Sequence, residues 1–378
     1  MPPIEHYKGR EQTYVKHYFL EHYLERVAYR IGSFRDDFCY VDCFSGPWKA
    51  EDPEFGDTSV RIALEKLNSV SRGLSEIERR PRLRALFVEK DPIAYKRLLH
   101  LLRDHAGEVD AVSLNGIFEH HLDDISRFVG SRFAFYFIDP TGWDLDMDNL
   151  TSLLRAGQCE AMINFMFDFV NRFTGDQRPA IKQSIDRYYG TTEWRAHLDS
   201  ELRERELVEL YVKQIKSLAK FDFASYTRIL KPQHERAYFH LAYAARHPTG
   251  ILKFREVEQK AMPEQDRVRE QAQHEHQFQR TGQQSFDLMP ISDTISKGLM
   301  NERTPRLKQS EELLLQLLAR GPRTFAEIQP SLMEIPLVWK SDVDQLVINW
   351  NKSGRITLEG MRPRKRKPRG EQIIRLAK

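Results

Sequence analysis

Cysteine is scarce in this chain, and long apolar runs are missing. The 378 residues include three cysteines, Cys39, Cys43 and Cys159, with no CxxC pair. An odd count without paired spacing excludes a disulfide framework and the usual thiolate metal sites. Cys39 and Cys43 lie inside an apolar run and read as buried thiols in a reducing compartment. No stretch approaches the ~18 apolar residues of a membrane span, and the N-terminus lacks the apolar core of a signal peptide. The expected location is therefore the cytoplasm. Charge of one sign is also lacking overall, since 58 Lys/Arg against 55 Asp/Glu leave a net +3. Its distribution is uneven. Residues 351–378 carry ten Lys/Arg and two Asp/Glu, leaving 48 basic and 53 acidic groups, net −5, in the preceding 350 residues. A mildly acidic body with a basic tail points to an anionic partner at that end.

What is present is a regular alternation of apolar strands and amphipathic helices. Residues 14–31 place Tyr, Phe, Leu and Val at three- and four-residue spacing, which predicts a helix. Strands are expected at 38–44, 84–89, 111–114, 133–138 and 161–165. Helices fall between them near 59–67, 92–105 and 147–155. That pattern implies a parallel sheet covered on both faces. Residues 168–220 read as a helical insertion. Residues 223–230 and 237–245, joined by six residues, form an antiparallel hairpin that closes the sheet. The first domain is thus expected over residues 1–255.

Composition changes at 256–304, where eight glutamines fall between Gln259 and Gln284, and a polar helix or linker is expected. His274-Glu275-His276 lies in this run and reads as solvated surface rather than a metal site. Residues 305–378 form a second unit. An apolar helix at 310–319 is followed by Thr324-Phe-Ala-Glu327, the form of a capping box. A longer helix and two short strands come next. Between those strands lie Arg362, Arg364, Lys365, Arg366, Lys367 and Arg369, six cations in eight residues. Three helices and a two-stranded ribbon with a basic tip predict a winged helix whose wing lies on the phosphates of a nucleic acid.

Two strand ends carry the chemistry. The run Tyr40-Val41-Asp42-Cys43-Phe44 ends in Ser45-Gly46-Pro47, and 133–138 ends in Asp139-Pro140-Thr141-Gly142-Trp143. Acidic residues beside Gly/Pro turns suggest ligand loops at the carboxyl edge of one open sheet. Three features recur in folds of this type that bind S-adenosylmethionine. A glycine turn follows strand one (Gly46, with Asp42 before it), where backbone passes close to a ligand. An acidic residue ends strand two (Glu89). An Asp-Pro follows strand four (Asp139-Pro140).

These segments resemble the three-Cys-motif partner protein (TcmP) family. The resemblance rests on 40–47 (YVDCFSGP), 56–64 (GDTSVRIAL), 87–92 (FVEKDP), 137–143 (FIDPTGW) and 163–166 (INFM). His240-Leu-Ala-Tyr243 and His247-Pro-Thr-Gly250 extend it, so that it covers about residues 8–260. The family's three cysteines belong to its partner, a radical-SAM-like protein. The resemblance implies an α/β fold with a Rossmann-like methyltransferase sheet, parallel with an antiparallel closing hairpin. It also implies S-adenosylmethionine as cofactor and a nucleic acid as substrate, with an adenine exocyclic amine as one target. Asp42 and Gly46 would then line the methionine end, Glu89 would hold the ribose, and Asn115 and Gly116 would flank the adenine. Asp139 and Pro140 would receive the target amine, and Trp143 would stack on the base. Asn164 is a further candidate for the cleft, or else caps its strand. Two positions depart from methyltransferase loops of this type. Trp48 stands where a second glycine is usual, and Thr141-Gly142-Trp143 replaces a Pro-Tyr pair. The alternative reading is a catalytically silent binding partner of nucleic acid or of a radical-SAM-like three-Cys-motif protein.

Overall fold

The computed structural model of the chain describes residues 1–46, 55–140, 142, 145–281, 296–360 and 367–377. A long amphipathic helix, α1 (Glu11–Gly32), leads into β1 (Asp37–Asp42). Helix and strand then alternate through α2 (Ser59–Ser75), β2 (Arg82–Glu89), α3 (Pro92–His105), β3 (Asp110–Asn115), α4 (Leu122–Val129), β4 (Ala134–Ile138), α5 (Met147–Arg155) and β5 (Cys159–Phe165). Local signals start these helices. Asp91 accepts hydrogen bonds from the backbone N–H of Ile93 and Ala94, with Pro92 opening α3. Asp146 caps α5 in the same way, and Thr58 caps α2. Such caps satisfy donors that have no partner within the helix. Three helices follow β5, namely α6 (Phe167–Phe173), α7 (Pro179–Tyr189) and α8 (Arg203–Leu218). The hairpin β6 (Phe223–Leu230) and β7 (Ala237–Ala245) comes after them.

The seven strands lie in the order β3-β2-β1-β4-β5-β7-β6. Strands β1 to β5 are parallel, and β7 runs antiparallel to both β5 and β6. This is a doubly wound, mostly parallel sheet closed at one edge by an antiparallel hairpin. Alternate side chains feed two cores. Phe38, Tyr40 and Phe135 face α1, α2 and the helix that follows β7, whereas Cys39, Val41 and Tyr136 face α4, α5, α7 and α8. Burial on both faces explains why the strands read as continuous apolar runs. All three cysteines are free and buried. Strand order reverses between β1 and β4, which opens a crevice at their carboxyl ends.

Helix α9 (Pro248–Thr281) runs across the position where the composition changes. Its first two thirds place Phe254, Val257, Ala261, Met262 and Val268 in the core at helical spacing. The glutamines mostly occupy its other faces, and residues 273–281, including His274 and His276, are exposed. Gln265 is an exception, since it is buried and accepts the Leu230 N–H at 3.0 Å.

The C-terminal unit comprises α10 (Lys297–Ala319), β8 (Arg323–Thr324), α11 (Phe325–Met333), α12 (Lys340–Lys352), β9 (Ile356–Leu358) and β10 (Ile373–Leu376). Its strands form an antiparallel sheet in the order β8-β10-β9. Leu314, Phe325, Ile328, Leu332, Val343, Val347, Ile356 and Ile374 make a separate core. Thr324 and Glu327 form the capping box that opens α11. Among the described residues, no helix is long and apolar enough to cross a membrane.

Candidate functional site

A cleft of about 360 Å³ opens at the switch point between β1 and β4. That is the small end of the ~300–1,000 Å³ range of ligand clefts. Its walls come from five places: the start of α1 with the residue before it (Arg10, Lys16, His17), the turn after β1 (Phe44 to Gly46), the start of α2 (Asp57, Thr58, Ser59), the ends of β4 and β5 (Asp139, Pro140, Asn164) and the start of β7 (Tyr238, Phe239). Of the residues singled out from sequence, Gly46, Asp139 and Pro140 line it, and so does Asn164.

Gly46 has φ +86°, and a Cβ there would meet no atom of the described residues within 4 Å. Its backbone holds a conformation that L side chains rarely adopt. Asp42 lies beneath this turn and is fully buried. Its Oδ1 accepts the Phe44 N–H at 3.1 Å and its Oδ2 accepts the Ser59 hydroxyl at 2.8 Å. Burial pushes the Asp42 carboxyl up to about 7, against the pull of those hydrogen bonds. Asp42 therefore braces the turn against α2 and does not face the cleft.

Asp139 has both carboxylate oxygens engaged. Lys16 donates to Oδ2 in a short ion pair, and the Asn164 Nδ2–H donates to Oδ1 at 2.6 Å. The pairing fixes the orientation of the Asn164 amide, because an ionised carboxylate only accepts. The Asn164 Oδ1 is buried and has no hydrogen-bond partner among the described residues. Lys16 also lies over the Phe239 ring, 5.8 Å from its centroid. Beside it, His17 bonds the Tyr7 hydroxyl through Nδ1 at 3.0 Å. Burial, with the Lys16 charge adding to it, holds His17 well below the usual imidazole range. Arg10 pairs with the buried Asp57 at 2.5 Å on the opposite wall.

Glu89, Asn115 and Gly116 form a second group at the next two strand ends. The Asn115 Nδ2–H and the Gly116 N–H both donate to the Glu89 carbonyl, at 2.8 and 3.0 Å. The Glu89 side chain is buried and accepts the Asp91 N–H at 2.7 Å. A side chain at Gly116 would be strained, since φ there is +153° and a Cβ would lie 2.5 Å from the His121 imidazole, which would have to move. This group does not line the cleft. The Ser45 N–H, bonded to the Val88 carbonyl at 2.8 Å, joins the two regions.

Pro47, Trp48, Thr141 and Trp143 lie outside the described residues, as do Arg362, Arg364, Lys365 and Arg366. Lys367 and Arg369 are described and exposed, on the connection between β9 and β10. Sequence reading missed Arg10, Lys16, His17, Tyr238 and Phe239. Lys16 and His17 carry no local signal, because they sit within an amphipathic pattern that also accommodates solvated residues. Only the crossing of α1 over the sheet edge brings them to Asp139.

No protein-family model matches the sequence, and no curated protein matches it. Among solved structures, a Legionella pneumophila str. Philadelphia 1 protein of family-model DUF519 is similar, with 10% identity and a TM-score of 0.37 over 64% of this chain and 88% of its own. A loganic acid methyltransferase with SAH is similar with 10% identity and a TM-score of 0.25, covering 82% of this chain and 92% of that one. No functional residue is carried over from either.

Proposed function

We propose that the protein is an S-adenosylmethionine-dependent methyltransferase acting on nucleic acid, of the kind that the three-Cys-motif partner resemblance implies. The target is an exocyclic amine such as that of adenine. The observation that carries this reading is the cleft at the switch point, where the glycine turn after β1 meets Asp139-Pro140 after β4. On this reading the cofactor reaches out of the cleft along the strand ends, with its methionine end at Gly46, its ribose at Glu89 and its adenine at Asn115 and Gly116, which lie outside the cleft itself. When bound, S-adenosylmethionine supplies an already activated methyl group, so the chain's own task is orientation and exclusion of water. Asp139 is the acceptor for the target N–H, through a lone pair that its bonds to Lys16 and Asn164 leave over. On this reading the C-terminal unit acts as a winged helix, and its basic residues, Lys367 and Arg369 among them, meet phosphate.

One observation favours a second reading. Both oxygens of Asp139 are occupied within the chain itself, as suits a silent binding partner of a radical-SAM-like three-Cys-motif protein. Calorimetric titration with S-adenosylmethionine separates the two. The enzyme reading expects micromolar binding, weakened at least ~10-fold, or about 1.4 kcal/mol, by Glu89→Ala. No binding by the unmodified chain overturns that reading and leaves the partner reading. Equal binding by both chains removes Glu89 from the ribose.

A further inference from the structure

Beside the cleft, three cations converge on one carboxylate. Asp168, at the first turn of α6, is buried. It pairs with Lys231 at 2.8 Å, Arg172 at 2.9 Å and Arg236 at 3.4 Å. Desolvation works against its charge, but the hydrogen bonds from Lys231 and Arg172 outweigh it and hold the carboxyl below its usual range. One negative charge against three positive leaves a local +2 on a body whose first 350 residues sum to −5. The neighbouring Glu235 does not cancel it, because Glu235 pairs with Arg269 at 2.8 Å. Arg172 and Arg236 keep 58% and 50% of their side-chain surface exposed, far more than one buried carboxylate requires.

The topology places this cluster at the site. Strand β6 is antiparallel to β7, which is antiparallel to β5, so β5 and β6 end at the same edge of the sheet. That edge is the one at which the cleft opens. Two aromatic rings join cluster and cleft. Arg172 lies over Phe169, 5.7 Å from its centroid, and a Cβ on Gly142 would touch the Phe169 ring at 3.4 Å. Phe169 therefore packs on the loop that begins with Asp139-Pro140. Lys231 lies over Tyr238, 5.8 Å from its centroid, and Tyr238 is a wall of the cleft.

We infer that the rim formed by α6 and the β6–β7 turn binds the phosphate backbone of a single-stranded nucleic acid whose target nucleotide enters the cleft. The inference rests on the nucleic-acid reading above and adds a contact surface separate from the basic run of the C-terminal unit. Exposed guanidinium groups fit phosphodiester oxygens through paired N–H donors. A single strand fits better than a duplex, because the cations flank the mouth of a cleft large enough for one base and are interleaved with aromatic rings.

The test is fluorescence anisotropy of a labelled 12-nucleotide single strand, as DNA and as RNA, titrated at several salt concentrations. The double variant Arg172→Ala/Arg236→Ala keeps Lys231 as partner to Asp168, and its thermal midpoint checks that folding is intact. Removing two phosphate contacts is expected to weaken binding roughly 10-fold and to lower the salt slope by ~1.4. The variant Lys367→Ala/Arg369→Ala serves as the comparison at the other end of the chain. Binding with unchanged affinity and slope in the rim variant overturns this inference alone and leaves the wing as the contact. No binding of either oligonucleotide by the unmodified chain overturns the nucleic-acid reading and the rim together.

Discussion

Asp42 couples the turn beneath the site to pH. Its folded carboxyl titrates at about 7 against an ordinary 3.8. A raised acid pKa means that the folded state binds the proton more tightly than the unfolded chain does. The stabilising contribution is complete below about pH 4 and is lost as pH rises through about 7. The shift corresponds to on the order of 4 kcal/mol. Asp42→Asn removes the titration but also one of the two acceptor oxygens, at a cost of about 1–3 kcal/mol. The net expectation is a stability gain of roughly 1–3 kcal/mol at pH 8.5 that vanishes by pH 5. Urea unfolding at the two pH values checks it, and an equal effect at both would mean that Asp42 does not carry the titration. Glu89→Ala belongs to the same scale, with cofactor affinity as its readout. Lys16 differs from both, since its ammonium bonds the Asp139 carboxylate that a target amine would also use.

At the scale of elements, helix ends and strand ends do most of the positioning. The strand ends of β1 to β5 gather every candidate group on one edge, and capped helices fix the loops between them. The capping box of α11 is the clearest case, with the Thr324 hydroxyl bonded to the Glu327 N–H at 3.3 Å and Glu327 returning to the Thr324 N–H at 2.8 Å. Thr324→Ala is expected to cost about 1 kcal/mol. Thr324→Ser, which keeps the hydroxyl, should cost much less, and comparing their unfolding midpoints separates capping from side-chain packing. Helix α9 serves a different purpose. One face completes the core over α1 and the sheet, and another meets the C-terminal unit.

Across the whole molecule, a buried polar network joins the two units. Arg255 of α9 has no exposed surface. It donates to the Met333 carbonyl at 2.8 Å, the Glu334 carbonyl at 3.3 Å and the Glu258 carboxylate at 2.5 Å. Trp339 donates its indole N–H to the other oxygen of Glu258 at 3.0 Å, and Arg303 stacks over that indole, 3.7 Å from its centroid. Glu334 reaches back to Lys216 at 2.5 Å and to the Ala224 N–H at 2.9 Å. Parting the two units breaks the bonds from Arg255 to the Met333 and Glu334 carbonyls and from the Trp339 indole to Glu258, while the Arg255–Glu258 ion pair stays within α9. The chain is therefore expected to unfold in a single urea transition. Arg255→Met should cost about 3–5 kcal/mol, because it strands Glu258, and should split that transition in two. A biphasic transition in the unmodified chain would show that the units are not coupled in this way.

The sequence by itself determined the order and kind of the elements. Apolar runs buried on both faces read as strands, and β6 and β7 have the expected limits. Thr324 announced its helix, since a cap acts within one turn and needs no distant partner. Gly46 and Asp139-Pro140 were legible for the same reason, as turns at strand ends. The short helix α4 and the two-residue strand β8 were not, because neither is long enough to show a period. Tertiary structure alone decided what fills the cleft and what surrounds it. Lys16 meets Asp139 across 123 residues of chain, and Arg236 on the β6–β7 turn meets Asp168 on α6. Contacts of that kind depend on which strand lies beside which. Strand order, unlike strand identity, is set by packing between segments that carry no local record of each other.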